Sequence, residues 1–174
     1  MKRFVGIDPS TKTGLAIIDE NGNLIDAFEI TASGKDPGRM VDIIAQTVDN
    51  VEPGDFVTIE GFGFASQAGF LLGGIGWGIR MELFDRDIDY LEVAPAALKK
   101  FASGKGNTDK DALAVEIYKR WGFEHKSDNV RDAYVLAQIA RANYLNLDVP
   151  AFQQEVIEAI TNPPAKKAKK KKGA

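Results

Sequence analysis

Residues 3–19 read RFVGIDPSTKTGLAIID, and this stretch predicts the first two strands of the fold. An almost entirely apolar run over residues 2–8 ends on Asp8, turns through PSTKT, and continues as a second run over Thr13–Asp19. Aspartate is depleted in β-strands, and an unpaired carboxylate is costly to bury. We therefore expect something in the folded protein to offset the charge of Asp8.

Turn residues and apolar runs predict three further strands. The ENGN turn at residues 20–23 contains Asn-Gly, the strongest short hairpin signal, and leads into LIDAFEIT at residues 24–31. Three successive antiparallel strands are therefore expected. FVTIE at residues 56–60 predicts a buried fourth strand that ends at Glu60, and IDYLEVA at residues 88–94 predicts a fifth.

Helical periodicity fills the intervals between and after these strands. We predict helices that begin at Pro37, near Ser66, at Pro95, at Thr108 and at Asp128, with a last short helix over FQQEVIEAI at residues 152–160. Thr108 and Asp111 resemble a capping box, and Ser127 is placed to cap the helix over Asp128–Tyr144. The order predicts one α/β domain over residues 1–162, with a mixed five-stranded sheet of three antiparallel strands followed by βα units, flanked by helices.

Five glycines between residues 69 and 78 lie in the helix predicted from about Ser66. Each glycine weakens a helix by about 0.5–1 kcal/mol relative to alanine, so their presence needs a reason. Two interpretations are open. The glycines permit close packing against the sheet, or they permit close approach of another backbone, either a partner subunit or DNA.

Composition excludes several kinds of site. The chain has no cysteine and one histidine, His125, which excludes disulfides, a thiolate nucleophile, Cys-ligated zinc and a His-rich metal site. A 44% hydrophobic content is typical of one globular core. No apolar run approaches the roughly 18 residues of a membrane span, so we expect a cytoplasmic protein without a secretory leader or membrane partner.

Charge is divided unevenly along the chain. Six lysines and no acid lie within PAKKAKKKKGA at residues 164–174, although the whole chain has a net charge of −3. The rest of the chain therefore has a net charge near −9. We predict that residues 163–174 form a disordered lysine-rich tail, which acts either as a solubilising appendage or as a mobile arm that contacts phosphates without reading sequence.

The acidic residues suggest a metal site. Asp8 and Glu60 each end a predicted strand, at the edge of the sheet where α/β sites usually lie. Asp128 and Asp132 are four residues apart at the start of a helix and share a face, as do Asn129 and Asp132. Converging carboxylates repel one another unless a cation lies between them, and their hard oxygens suit Mg²⁺ or Mn²⁺. Two such ions can hydrolyse a phosphodiester.

Four stretches, GIDPSTKTGLAII, VTIEGFGFAS, LEVAPAALKKFASGKGNTDKDA and DNVRDAYVLAQIA, resemble the RuvC-type Holliday junction resolvases in order and spacing over residues 3–144. The resemblance implies an RNase H-like fold and a homodimeric endonuclease with two Mg²⁺ ions per active site, for which Mn²⁺ can substitute. Such an enzyme nicks four-way DNA junctions symmetrically and leaves 5′-phosphate ends. The lysine tail suggests a phage-like or otherwise divergent member.

The resemblance also assigns catalytic residues. Asp8 and Glu60 match the first two metal ligands of the family, and Asp132 matches the last. The remaining ligand is ambiguous, because Asn129 stands where bacterial members have an acid or histidine. We predict Asp128 as this ligand, since phage-like members often read DNxxDA, with Asn129 as the alternative.

Candidate DNA contacts come from the same resemblance. Lys99 and Lys110 match lysines near the scissile phosphate, although without the resemblance both read as solvated helix lysines. Phe62 or Phe64 is a candidate for insertion at the junction centre, although both otherwise read as core residues. Five residues are predicted to form a local basic surface: Arg80, Lys99, Lys100, Lys105 and Lys110.

Three other functions compete with junction resolution. A broader branched-DNA or flap endonuclease would use the same site, and side-by-side cleavage of different DNA branches separates it. An actin-like ATPase begins with a stretch similar to GIDPSTKTG, but needs two such domains and a second phosphate loop. A non-catalytic DNA-binding module is disfavoured, because four clustered acids repel DNA phosphates unless metal is present.

Overall fold

The computed structural model describes residues 1–62 and 69–163. In these ranges the strands are β1 (Arg3–Asp8), β2 (Thr13–Asp19), β3 (Leu24–Ile30), β4 (Phe56–Glu60) and β5 (Tyr90–Val93). The helices are α1 (Gly38–Asp49), α2 (Gly69–Asp85), α3 (Pro95–Ser103), α4 (Lys110–Trp121), α5 (Asp128–Leu145) and α6 (Ala151–Thr161). The predictions for Phe64, for a helix start near Ser66 and for the tail at residues 164–174 lie outside the described residues.

The strands form one sheet in the order β3-β2-β1-β4-β5. β1, β2 and β3 pair antiparallel, whereas β4 pairs parallel with both β1 and β5. The predicted mixed five-stranded sheet is therefore confirmed. The predicted β2–β3 turn is held by Asp19, whose carboxylate accepts hydrogen bonds from the backbone N–H groups of Asn21 and Asn23, both at 2.8 Å.

The register of β1 against β4 brings two acidic residues to the same edge of the sheet. Ile7 lies opposite Ile59, so Asp8 and Glu60 are the next residues on two adjacent parallel strands. Adjacent strand ends at the point where antiparallel connections give way to βα units are the usual place for an α/β site. The fold therefore creates the acidic edge that the sequence predicts.

Helix α5 lies directly on the sheet because two glycines admit its backbone. A Cβ atom on Gly6 of β1 would lie 1.9 Å from the carbonyl oxygen of Ala133, and one on Gly14 of β2 would lie 2.1 Å from that of Asn129. Any side chain at these positions would displace the helix. The close approach brings the first turns of α5 to the end of β1, where Asp8 lies.

Helix α2 packs on α1 through its own glycines. Cβ atoms on Gly74 and Gly78 would lie 2.4 Å from Met40 and 2.2 Å from Ile44 of α1. These two glycines therefore serve close packing, as one of the two interpretations held, but the surface they pack against is α1 and not the sheet. Within the described residues, a Cβ atom on Gly69 or Gly73 would meet nothing within 4 Å.

Two helix starts differ in detail from the prediction. Asp109, not Thr108, caps α4, and its carboxylate accepts from the backbone N–H groups of Asp111 and Ala112. The Thr108 hydroxyl instead donates to the Lys105 carbonyl oxygen at 3.0 Å. Ser127 is the N-cap residue of α5 as predicted, but its hydroxyl donates to Glu29 at 2.6 Å and not to the helix backbone.

Both faces of the sheet are covered by apolar helices. Helices α3, α4, α5 and α6 share one core with one face, and α1 and α2 share a second core with the other. No helix in residues 1–62 and 69–163 combines the length and apolar character needed to cross a bilayer.

Candidate active site

Asp8 and Glu60 form a buried pair of acids at the carboxyl ends of β1 and β4. The two carboxyl groups lie within reach of each other, and Asp8 is only 5% exposed. Burial raises the pKa of Asp8 well above its usual value, and the neighbouring charge of Glu60 raises it further. Burial also raises the pKa of Glu60, against the lowering effects of the Asp8 hydrogen bond and the Lys99 charge. Both carboxyl groups therefore hold a proton more strongly than they would in water.

This arrangement answers how the chain tolerates an aspartate at the end of a buried strand. Burial and the neighbouring Glu60 both favour the protonated form of Asp8, which avoids the cost of burying a charged carboxylate. Two anionic carboxylates at this separation would repel each other strongly. A site of this kind favours whichever cation, proton or metal, neutralises it.

Asp132 on α5 adds a third acid to the pair. Burial is the largest cause that raises its pKa to about 7, and the negative charges of Glu60 and Asp128 add to it. The positive charges of Arg131 and Lys110 oppose this rise. Asp132 therefore lies within electrostatic reach of the β4 acid, as its predicted position on the shared helix face requires.

Asp128 is engaged by a lysine. Its carboxylate accepts a hydrogen bond from the ammonium group of Lys110, the first residue of α4. This contact is the largest cause that lowers the pKa of Asp128 and that raises the pKa of Lys110. The ion pair therefore holds Asp128 ionised beside the other acids.

Asn129, the alternative fourth ligand, is used by the turn that follows Asp8. Its side-chain amide donates to the Ser10 hydroxyl at 3.0 Å and to the Lys12 carbonyl oxygen at 2.7 Å. The amide group thus ties α5 to the turn between β1 and β2. This contact gives Asn129 a positioning role, and the assignment of Asp128 as the fourth ligand stays a prediction.

The predicted lysines fall into two groups. The charges of Lys99 and Lys110 act on acids of the site, on Glu60 and on Asp128 respectively. Lys100 instead donates to Glu155 of α6 at 2.6 Å, and Lys105 is exposed in the loop between α3 and α4. Only Lys99 and Lys110 among these lysines are brought to the acidic edge by a contact or charge that the structure describes.

The prediction that Arg80 belongs to an exposed basic surface is wrong. Its side chain is 2% exposed, and its guanidinium donates to Glu92 at 2.9 Å, to the Gly76 carbonyl oxygen at 2.9 Å and to the Glu60 carbonyl oxygen at 3.0 Å. A buried guanidinium requires such partners to replace its water. Arg80 therefore belongs to the interior beside the acidic edge.

Phe62, the described candidate for insertion into the junction, lies against α2. Its ring stacks on the exposed Trp77 with 5.7 Å between centroids and lies 4.4 Å from the guanidinium carbon of Arg80. It is half-buried, which agrees with neither a full core residue nor a free wedge. Its role in DNA binding stays a prediction.

The residue types at this edge fit a divalent metal ion, although the described side chains do not form a complete coordination site. In the described ranges no three Asp, Glu or His side chains are grouped closely enough to hold an ion together. The donor set is nevertheless one of hard oxygens, and burial is the main cause of the raised pKa values of three of its acids.

Sequence reasoning missed Glu92 and the Asn129 contact with the turn. Glu92 pairs with Ile59 across β4 and β5, so only the strand register could have indicated that it faces Arg80 near Glu60. The contact of Asn129 with Ser10 spans 119 residues of sequence, and no local pattern announces it.

Comparison with known proteins bears on the fold. No family model matches the sequence. A structure of Thermus thermophilus RuvC aligns with a TM-score of 0.68 at 19% identity, covering 83% of this chain and 96% of that one. T. thermophilus RuvC in complex with Holliday junction substrate aligns with a TM-score of 0.62 at 14% identity over the same shares of the two chains. The chain therefore has the RNase H-like fold of RuvC.

Proposed function

We propose that this protein is a Mg²⁺-dependent endodeoxyribonuclease that resolves four-way DNA junctions by paired symmetric nicks and leaves 5′-phosphate ends. The observation that carries the proposal is the placement of Asp8 and Glu60 at adjacent strand ends of a RuvC-like sheet, with Asp132 within electrostatic reach of both. That a RuvC with the same fold is known bound to a Holliday junction substrate supports branched DNA as the substrate class.

The chain's own residues have separate roles in this proposal. Asp8, Glu60, Asp132 and Asp128 would hold two divalent ions, with Mn²⁺ able to replace Mg²⁺. Such ions activate water and offset charge on the leaving oxygen of a phosphodiester. Lys99 and Lys110 provide positive charge beside the acids, which favours a phosphate there and orients it. Lys110 has a second role, because it neutralises Asp128 until an ion replaces it.

A second copy of the chain is the proposed partner. One chain provides one acidic edge, and paired nicks need two. On α2, Trp77, Met81 and Phe84 are 58%, 62% and 78% exposed, and their spacing of four and three residues places them on one helical face. A two-fold interface uses the same patch from both copies, and this exposed apolar face is the patch proposed for it. Phe62 stacks on Trp77 at the edge of the same face.

The net charge near −9 of residues 1–163 requires local attraction for DNA. Bound ions would offset the acids of the site, and Lys99 and Lys110 add positive charge beside them. The lysine-rich segment 164–174 adds six positive charges whose contacts with phosphates carry no sequence information.

A substrate panel tests the proposal. Purified protein is incubated with Mg²⁺ and equal concentrations of a four-way junction, a three-way junction, a 5′ flap and linear duplex of shared sequence. The proposal expects cleavage of the four-way junction far above that of duplex, with nicks at symmetric positions. Equal cleavage of all branched substrates would favour the broader branched-DNA endonuclease, and no Mg²⁺-dependent cleavage of any would overturn the proposal.

A further inference from the structure

We propose that Arg80 is a positioning residue that fixes the backbone of the acid Glu60 and seats the aromatic Phe62 on α2. The inference rests on the proposed function, because it assigns Glu60 to the metal site and Phe62 to the DNA side. Arg80 would therefore join the two working parts of the molecule without touching substrate itself.

The first support is the set of bonds that Arg80 makes at the strand ends. One terminal nitrogen donates to the carbonyl oxygen of Glu60 at 3.0 Å and lies 2.8 Å from the Glu92 carboxylate, to which Nε also donates at 2.9 Å. The guanidinium thus bridges the last residue of β4 and a residue of β5. The backbone N–H of Gly61 donates to the carbonyl oxygen of Val93 at 2.7 Å, so the next link between the two strands lies directly beside this bridge.

These bonds act on the backbone from which the Glu60 carboxyl projects. Glu60 is the last residue of β4, and the bond from Arg80 fixes its carbonyl in addition to the pairing of β4 with β5. Groups that orient a metal ligand from behind typically change metal affinity or activity 10–100-fold when removed. Arg80 is in this position relative to Glu60.

The second support is the place on α2 where the Phe62 ring packs, beside Arg80 and Gly76, which we call the seat of Phe62. The guanidinium carbon lies 4.4 Å from the centre of the Phe62 ring, a distance typical of a cation–π contact. Gly76 leaves room for the ring, since a Cβ atom there would lie 2.7 Å from it, and the carbonyl oxygen of Gly76 accepts from Arg80 at 2.9 Å. Arg80 therefore contacts both the Phe62 ring and the backbone of Gly76, against which the ring packs.

The charge on Arg80 favours a positioning role beyond packing. Replacing a buried ion pair by an apolar side chain of similar volume is often neutral or stabilising, so burial alone does not require an arginine here. A planar guanidinium, in contrast, can donate to three acceptors in fixed directions, which neither lysine nor methionine can do. The three acceptors here belong to β4, β5 and α2.

The test measures Mn²⁺ affinity by electron paramagnetic resonance in metal-free full-length protein without DNA. The variants are Arg80→Met, Arg80→Lys and Glu92→Gln, each in a Trp121→Phe background that leaves Trp77 as the single tryptophan. Arg86→Met is the matched control, because Arg86 follows the end of the same helix and pairs at the surface with Asp49. Trp77 emission, at one protein concentration throughout, reports whether Phe62 has left its seat.

We expect Arg80→Met to raise the Kd for Mn²⁺ about 10–100-fold and to shift Trp77 emission. Arg80→Lys should lie between Arg80→Met and the parent protein, Glu92→Gln should change both readouts in the same direction, and Arg86→Met should change neither. Urea unfolding identifies variants that are folded. If Arg80→Met does not fold, Arg80→Lys and Glu92→Gln decide the result.

A change of less than about twofold in the Mn²⁺ Kd of the folded Arg80 variants would overturn this inference and leave the proposed function intact. A residue that orients a metal ligand is expected to have a much larger effect. Weakened Mn²⁺ binding with unchanged Trp77 emission would overturn the link to Phe62. A parent protein that binds no Mn²⁺ would contradict the proposed function and, with it, the positioning role of Arg80.

Discussion

At the scale of single residues, the surroundings of three acids of the site disfavour their ionised forms. Burial raises the pKa values of Asp8, Glu60 and Asp132, and neighbouring negative charges raise those of Asp8 and Asp132 further, whereas Lys110 lowers the pKa of Asp128. Carboxyls with raised pKa values at one edge of a sheet mark that edge as a candidate functional site. The raised pKa values have consequences that can be measured without DNA.

The raised pKa of Asp132 predicts a gain in stability on its removal. With a pKa of about 7 in the folded protein and an ordinary value of 3.8 in the unfolded chain, Asp132 binds a proton in the folded state that the unfolded chain has released. Stability should therefore fall as pH rises from about 4 to 7 and stay low above that range. We expect Asp132→Asn in EDTA to be more stable than wild type by on the order of 3 kcal/mol at about pH 8, and by little at about pH 4.5.

Urea unfolding at both pH values measures this difference. Glu116→Gln is the control, because Glu116 lies on α4 and pairs at the surface with Lys119. An Asp132→Asn protein that is less stable than wild type at the higher pH without metal would show that the acid stabilises the fold and is not a strained member of a site.

A second residue-scale prediction concerns the fourth ligand. Asp128→Asn should abolish Mg²⁺-dependent cleavage if Asp128 completes the site, whereas Asn129→Ala should lower the rate only mildly by loosening the turn held at Ser10. Single-turnover cleavage rates at saturating Mg²⁺ give the ranking. The reverse ranking would assign the position to Asn129.

At the scale of elements, glycines decide how closely the helices approach the sheet and each other. Gly6 and Gly14 let the backbone of α5 lie on β1 and β2, and Gly74 and Gly78 let α2 lie on α1. The glycines were visible in the sequence, but their partners were not, because the partner of each depends on which helix covers which face. For the same reason, close packing was only one of two interpretations of the α2 glycines, and the expected surface was the sheet and not α1.

A pair of glycine substitutions tests this account. Gly6→Ala should destabilise the protein severely, because its Cβ would meet a backbone oxygen at 1.9 Å. The backbone of a packed helix cannot move away from the clash as a flexible side chain could. Gly73→Ala, whose Cβ would meet no described atom within 4 Å, should stabilise α2 by about 0.5–1 kcal/mol through helix propensity. Thermal unfolding of both variants is the measurement. Equal effects of the two substitutions would contradict the packing described for α5.

How far the sequence could predict the elements is clear from three cases. Apolar runs and turn residues predicted all five strands in their order along the chain. The N-cap of α4 is Asp109 and not the predicted Thr108. Adjacent polar side chains compete for the same helix end, and the local sequence does not rank them. The burial of Arg80 was not predictable, because its partner Glu92 faces it only once β5 has paired with β4.

At the scale of the whole molecule, charge is the feature that most needs explanation in a proposed DNA-binding protein. Residues 1–163 carry a net charge near −9, and residues 164–174 carry six lysines. Part of the negative charge lies in the proposed metal ligands. DNA association in this account depends on ions at the acidic edge and on the positive segment together.

Deleting residues 164–174 should weaken binding to duplex and junction alike. Because these lysines would contact phosphates and not bases, the plot of log K against log salt should become shallower by about 0.9 for each phosphate that the tail no longer neutralises. Cleavage at saturating junction should change little. Fluorescence anisotropy over a salt series measures the slope, and an unchanged affinity and slope would show that the tail only aids solubility.

The central claim is that Asp8, Glu60 and Asp132 form a catalytic metal site acting on four-way junctions. Its most direct test is single-turnover cleavage of a synthetic junction in Mg²⁺ by wild type and by Asp8→Asn, with junction binding measured in parallel in Ca²⁺. We predict symmetric nicks with 5′-phosphate ends for wild type, and a loss of several kcal/mol of transition-state stabilisation in Asp8→Asn, with binding retained. An Asp8→Asn protein that keeps more than about a tenth of the wild-type rate, where loss of a metal ligand should cost far more, would contradict the claim.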